Sequence, residues 1–239
     1  MEFKITQNLI DEYIKYVYVY RVKSGYKAIS EIDGEKEDEI KNKYKNGGIQ
    51  KWLANKLHLT LEELGTLESN DVVLKEKEKI NKWFEKYSNK KSSTKPEFFK
   101  FESWLEFYNW YKEKIINDNS CCYCGIKEKD LEIYFNKQTS QYFVNEDDKA
   151  RQRGKVLELE RIVTAPKEKN IYSKDNCALA CYICNNAKSD FLSAKSFKPI
   201  AKGINVFWNK VIHEDKNLSD EELFNKIVKF PDTDIWEKE

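Results

Sequence analysis

Four of the six cysteines fall into two Cys-x-x-Cys pairs, Cys121/Cys124 in SCCYCG and Cys181/Cys184 in NCALACYICNNAKSD. Thiolates at this spacing can both reach one ion, and Zn²⁺, which has no d-electron preference for geometry, accepts four of them tetrahedrally. Four protein ligands leave no open position, so the expected zinc is structural and clips two remote segments of a loop-rich unit together. Cys122 competes with Cys121 for a ligand role, although its spacing to Cys124 is less favourable, and Cys177 reads as a buried apolar residue. MEFKITQNLIDEY is too charged and broken for a signal peptide, and no apolar run reaches membrane-spanning length. The expected location is cytoplasmic, with no membrane partner. In a reducing compartment, paired cysteines more often mean metal than disulfide.

Charge points in a second direction. The formal net charge is only +1, but by count residues 149–210 sum to about +8 and residues 211–239 to about −5. Three of the four arginines, Arg151, Arg153 and Arg161, lie in that basic block. The guanidinium fork suits phosphate oxygens better than the point charge of lysine does, so the cluster points toward nucleic acid. A solvated basic face accounts for the same residues without a ligand.

The elements that must position these groups differ along the chain. Over residues 1–118 the pattern is mostly helical. IQKWLANKLHLTLEEL places Ile49, Leu53, Leu57 and Leu61 four apart, FESWLEFYNWYKEKII is a strongly aromatic amphipathic helix, and VVLKEKEKINKWFEKY is a weaker third. Aromatics at helical spacing usually form core rather than a base-stacking surface. YIKYVYVYRV suits either a strand or the end of a helix, and NKKSSTKPE at 89–97 reads as a linker. From about residue 119 the segments shorten. KVLELERI is the clearest strand, with Glu158 and Glu160 on one face by period two. A loop through Pro166 leads to a short strand, the second cysteine pair and a helix, and IAKGINVFWNKVI and SDEELFNKIVKF read as covering helices. His58 and His213 read as ordinary residues, remote from the cysteines.

Taken together, CCYCG, LELERI and NCALACYICNNAKSD resemble the pattern of the HNH nucleases, a ββα-metal module. The resemblance covers about residues 119–200, under half of the chain, and rests on the order and spacing of five elements. It implies an α+β fold: a helical recognition or partner domain over 1–118, an HNH module with zinc knuckles over 119–212, and a C-terminal covering helix over 213–239. In that family an acid on the strand and an Asn or His after the second knuckle bind one catalytic divalent metal, and here those positions are Glu160 and Asn185. Asn176 falls where the family holds its catalytic loop or orients its base, and Lys188 where a lysine lies near the phosphate backbone. Arg161 stands where the family usually has its histidine base.

The implied chemistry is consistent. A phosphodiester repels nucleophiles by its charge, and a hard cation such as Mg²⁺ or Mn²⁺ on oxygen ligands neutralises charge developing at the phosphate. Arginine stays protonated and cannot be the general base, but it can clamp the scissile phosphate. The proton then passes to Glu158, to a metal-bound hydroxide or to the substrate's own phosphate. The expected activity is that of a metal-dependent DNA endonuclease, of the kind used in bacterial restriction or phage defence, with RNA not excluded and with a protein partner or homodimer contacted through the N-terminal region. The competing expectation is a degenerate module that binds nucleic acid or a partner protein through Arg151, Arg153 and Lys188 without cutting.

Overall fold

A computed structural model describes residues 3–46, 48–138, 154–212 and 218–238. It is mostly helical, with one small antiparallel sheet. The chain forms two compact units: Met1–Ser93 with Ser103–Tyr108, and Thr94–Glu102 with Asn109–Glu239. Among the described residues no helix is long and apolar enough to cross a membrane.

The first unit holds α1 (Gln7–Ile14), α2 (Tyr26–Asp33), α3 (Glu37–Lys43), α4 (Gly48–Lys56), α5 (Leu61–Glu68), α6 (Asp71–Ser93) and the start of α7 (Trp104–Asp118). The tyrosine-valine stretch after α1 is no strand: the helix continues as a π-helical turn over Lys15–Val19 that buries Val17 and Val19. Helix α6 runs through Ser93, into the stretch read as a linker. Its apolar face meets aromatic side chains of α7, with Phe84 and Trp104 edge to face at 5.1 Å and Tyr87 and Phe107 at 5.3 Å between centroids. Aromatic pairs in such geometry add to the free energy of burial. Fully buried Trp52 donates its indole N–H to Asp33 at 2.7 Å, which satisfies the one polar atom that its burial would otherwise strand. Helix α5 starts at a capping box, Thr60 accepting from the Glu63 amide and Glu63 from the Thr60 amide.

The second unit carries the rest of α7, α8 (Glu128–Gln138), β1 (Glu158–Arg161), β2 (Cys177–Ala180), α9 (Tyr182–Lys188), α10 (Ala194–Ile212) and α11 (Asp220–Leu223). The strands pair antiparallel with Glu158 opposite Ala180, Glu160 opposite Ala178 and Arg161 opposite Cys177. Helix α9 begins directly after β2, with Cys181 as its N-cap.

The stretch SDEELFNKIVKF is helical only over Asp220–Leu223. Beyond it the chain turns at Asn225, whose φ of 58° is left-handed, and its backbone groups find side-chain partners in place of a helical ladder. Asn205 and Asn209, one turn apart on α10 and fully buried, supply them. Asn205 accepts from the Asn225 amide at 2.9 Å, and Asn209 accepts from the Ile227 and Val228 amides at 2.7 and 2.8 Å. Asn205 also donates to the carbonyls of Cys124 and Val228, at 2.8 Å each, and so ties this segment to the first cysteine turn. At that turn Gly125 has a φ of 82°, and a Cβ there would lie 1.8 Å from the Lys229 carbonyl oxygen. Only glycine fits both demands.

Candidate functional site

The four paired cysteines meet. Cys121, Cys124, Cys181 and Cys184 are all buried, and their sulfurs lie within 4.8 Å of one another. Cys124 and Cys181 are 3.7 Å apart. The edge of a tetrahedron with metal–sulfur bonds of about 2.3 Å is about 3.8 Å, so the cluster is close to the size that a zinc ion draws together. The backbone presets it. The Cys121 amide bonds Ile126 O at 2.8 Å, closing the first turn, and the Cys184 amide donates to Cys181 Sγ at 3.4 Å, as the first turn of α9 dictates. Burial pushes the Cys124 and Cys184 thiols up, whereas at Cys121 hydrogen bonds from the other three outweigh burial and hold the thiol well below its ordinary range. Four thiolates together therefore require a cation among them. Cys121, not Cys122, completes the set. The Cys122 amide bonds Leu179 O at 2.8 Å, and Cys122 lines a separate cavity with Cys177. Among the described residues no other group of three or more histidine, cysteine or acid side chains gathers closely enough to hold a metal.

Beside this cluster, β1 and α9 bring together a set of polar side chains. Asn185 follows Cys184 directly, and its amide nitrogen lies 2.6 Å from Glu158 Oε2. The acid that meets Asn185 is thus Glu158 rather than Glu160. Glu160 is buried, and its Oε1 takes the Lys188 ammonium at 3.1 Å and the Tyr123 hydroxyl at 3.3 Å. Burial raises the Glu160 carboxyl above its ordinary value even though Lys188 and Tyr123 oppose the shift. The same burial, with the nearby acid, pushes the Tyr123 phenol up.

Lys188, expected at the phosphate backbone, has no exposure at all. Besides Glu160 it donates to the carbonyls of Arg161 at 3.1 Å and Ser189 at 3.4 Å, so its charge is used inside the protein. A buried ammonium requires such partners. Arg161 sits at the end of β1 with its guanidinium 4.6 Å from the Tyr172 ring centroid and 3.5 Å from Asp190 Oδ1. Its side chain keeps 23% of its exposure, so it is partly open to solvent.

Asn176 is buried and staples the loop that joins the strands. Its amide nitrogen donates to the carbonyls of Val163, Lys169 and Ile171 at 2.9, 3.0 and 2.9 Å, and its oxygen accepts from the Val163 amide at 2.8 Å. One side chain thereby fixes the exit of β1 and the return toward β2. Arg151, Arg153 and His213 lie outside the described residues. Sequence reasoning missed Tyr123 as a partner of Glu160. Its place between two cysteines, in a segment that must pack under the metal, is the signal that was there.

Comparison of the chain with family models, with curated proteins and with solved structures returns no match.

Proposed function

We propose that the second unit is a metal-dependent nuclease module of the HNH type, acting on DNA phosphodiesters. The observation that carries this reading is the meeting of Glu158 on β1 with Asn185 on α9, two residues from Glu160 and next to a buried four-thiol cluster that could hold a metal. Carboxylate and amide oxygens are the donors a hard divalent cation takes, and Glu158 and Asn185 are only half-buried. Glutamate and asparagine side chains would hold Mg²⁺ or Mn²⁺ here, and such an ion supplies charge neutralisation at phosphate and activation of water. The protein's own groups do the rest. Arg161, oriented by Asp190 and Tyr172, binds a phosphate oxygen and stabilises charge there. Lys188 holds the Glu160 carboxyl in place, and Asn176 keeps the loop after β1 in register.

Incubation of zinc-loaded protein with supercoiled plasmid and a series of divalent metals tests this. Nicking is expected with Mg²⁺ or Mn²⁺, reduced about a hundredfold in Glu158→Ala and in Glu160→Ala. A folded, zinc-containing sample that leaves plasmid intact with every metal would overturn the reading, as would full activity in both variants.

The buried Lys188–Glu160 pair favours a second reading, in which Lys188 already neutralises the acid and the module binds nucleic acid without cutting it. That reading expects oligonucleotide binding that weakens with salt, survives Glu160→Ala and is accompanied by no nicking.

A further inference from the structure

The turn between α9 and α10 presents an aromatic ring to solvent. Phe191 is 89% exposed, more than any other large apolar side chain in the described residues. The fold does not cover it. The turn that carries it is fixed. Ser189 has a left-handed φ of 51°, an uncommon conformation for a residue with a side chain. Its carbonyl accepts from Lys188, the Leu192 amide bonds Lys188 O at 3.2 Å, and the Thr164 hydroxyl donates to Asp190 O at 3.4 Å.

Phe191 also lines a cavity of about 220 Å³, together with Ile162, Val163, Thr164, Asp190, Ser193 and Lys238. A cavity of this size is below that of drug-sized ligand sites and suits one flat heterocycle. It begins where β1 ends. Thr164 lies three residues beyond Arg161, within about 10 Å of extended chain. Lys238 brings a cation into the lining, and Asp190, the acid there, is met by the Arg161 guanidinium at 3.5 Å. An apolar face, the Thr164 and Ser193 hydroxyls, a lysine in the lining and the Arg161 guanidinium on Asp190 are the elements of a site that stacks a base while a neighbouring phosphate lies on a cation.

We propose that this cavity takes one unstacked base of a nucleic-acid strand, laid against the Phe191 ring, with an adjacent phosphate on Arg161. The proposal rests on the reading of the unit as one that engages nucleic acid, but it does not require cleavage. A single-stranded DNA 12-mer with a central 2-aminopurine, and a counterpart with an abasic site there, provide the test, using the full zinc-loaded chain and no added divalent metal. Binding to the wild type should quench 2-aminopurine fluorescence. Phe191→Ala should bind about tenfold more weakly and lose the quenching, whereas Phe191→Tyr should keep both. The abasic strand should bind the wild type more weakly than the 2-aminopurine strand, and should bind Phe191→Ala no differently. Equal affinity and equal quenching in Phe191→Ala, with zinc content unchanged, overturn the proposal, as does the absence of any binding at low salt. The plasmid assay separates the two claims. Phe191-dependent quenching without nicking removes the nuclease reading and leaves the base site. Nicking with binding indifferent to Phe191 does the reverse.

Discussion

The two units reach a fixed structure by different means. In the first, helices adjacent in sequence bury Trp52, Leu64, Leu67, Ile80, Trp83 and Phe107, and the stabilising interactions are apolar contact and ring packing spread over many residues. In the second, the sheet has two strands of four residues each, too small to hold itself, and segments far apart in sequence join at four sulfurs. Among its buried polar groups, Asn176, Lys188, Asn205 and Asn209 each make several specific bonds. Diffuse packing tolerates local change, whereas a unit built on a few directional contacts fails at those contacts. The second unit can thus hold a carboxylate, an amide and a guanidinium in set positions on very little scaffold.

The sharpest way to break the comparison is to deny the four cysteines a metal. With strong chelator, or in Cys181→Ser, amide hydrogen exchange should accelerate in β1, β2 and α9 while α4–α6 keep their protection, because zinc binding by a four-thiolate site contributes on the order of 10 kcal/mol. Elemental analysis should give about one zinc per chain, retained in Cys122→Ser and Cys177→Ser. Equal loss of protection in both units would erase the distinction.

A smaller effect is expected from Lys188→Met, which leaves Glu160 buried without its partner and should lower the stability of the second unit by about 3–5 kcal/mol in urea unfolding. Adding Glu160→Gln should restore part of that loss, since the uncompensated charge is then gone.

The smallest concerns the first unit, where a polar contact matters least. Glu68 accepts from Lys23 at 2.7 Å, Tyr13 at 3.0 Å and Gln50 at 3.4 Å. Burial works to raise its carboxyl, but Lys23 and the other donors outweigh it and hold the group below the ordinary range. A depressed carboxyl stabilises the fold above the unfolded value, near pH 4.3, and the contribution is lost as pH falls through the folded value. Wild type should accordingly lose slightly more thermal stability than Glu68→Gln between about pH 5 and 3. Identical pH profiles would show that the contact contributes nothing measurable.

The sequence made the cysteine cluster and the shared face of Glu158 and Glu160 legible, because both follow from fixed spacings that survive any tertiary arrangement. What it hid depends on docking. Which acid meets Asn185 is decided by the angle at which α9 lies on β1, and that angle has no local signature. A lysine three residues after an asparagine reads as a surface charge, and only the fold shows Lys188 enclosed. Asn205 and Asn209 sit in an apolar helical pattern where they look like interruptions; their purpose appears only when an irregular segment needs partners for its amides. The chain after Leu223 has good helical spacing, but those side-chain bonds outcompete the helix.

The glycine turn at the first cysteine pair bears on modularity. Because position 125 lies against the Lys229 carbonyl, and Asn205 divides one amide group between Cys124 and Val228, the metal clip is not a portable cassette. Transplanting residues 119–190 into another scaffold would leave behind α10 and the strap it fastens, and the recipient would inherit a knuckle with one side open to water. The natural unit of exchange is the whole stretch from the end of α7 to Trp236.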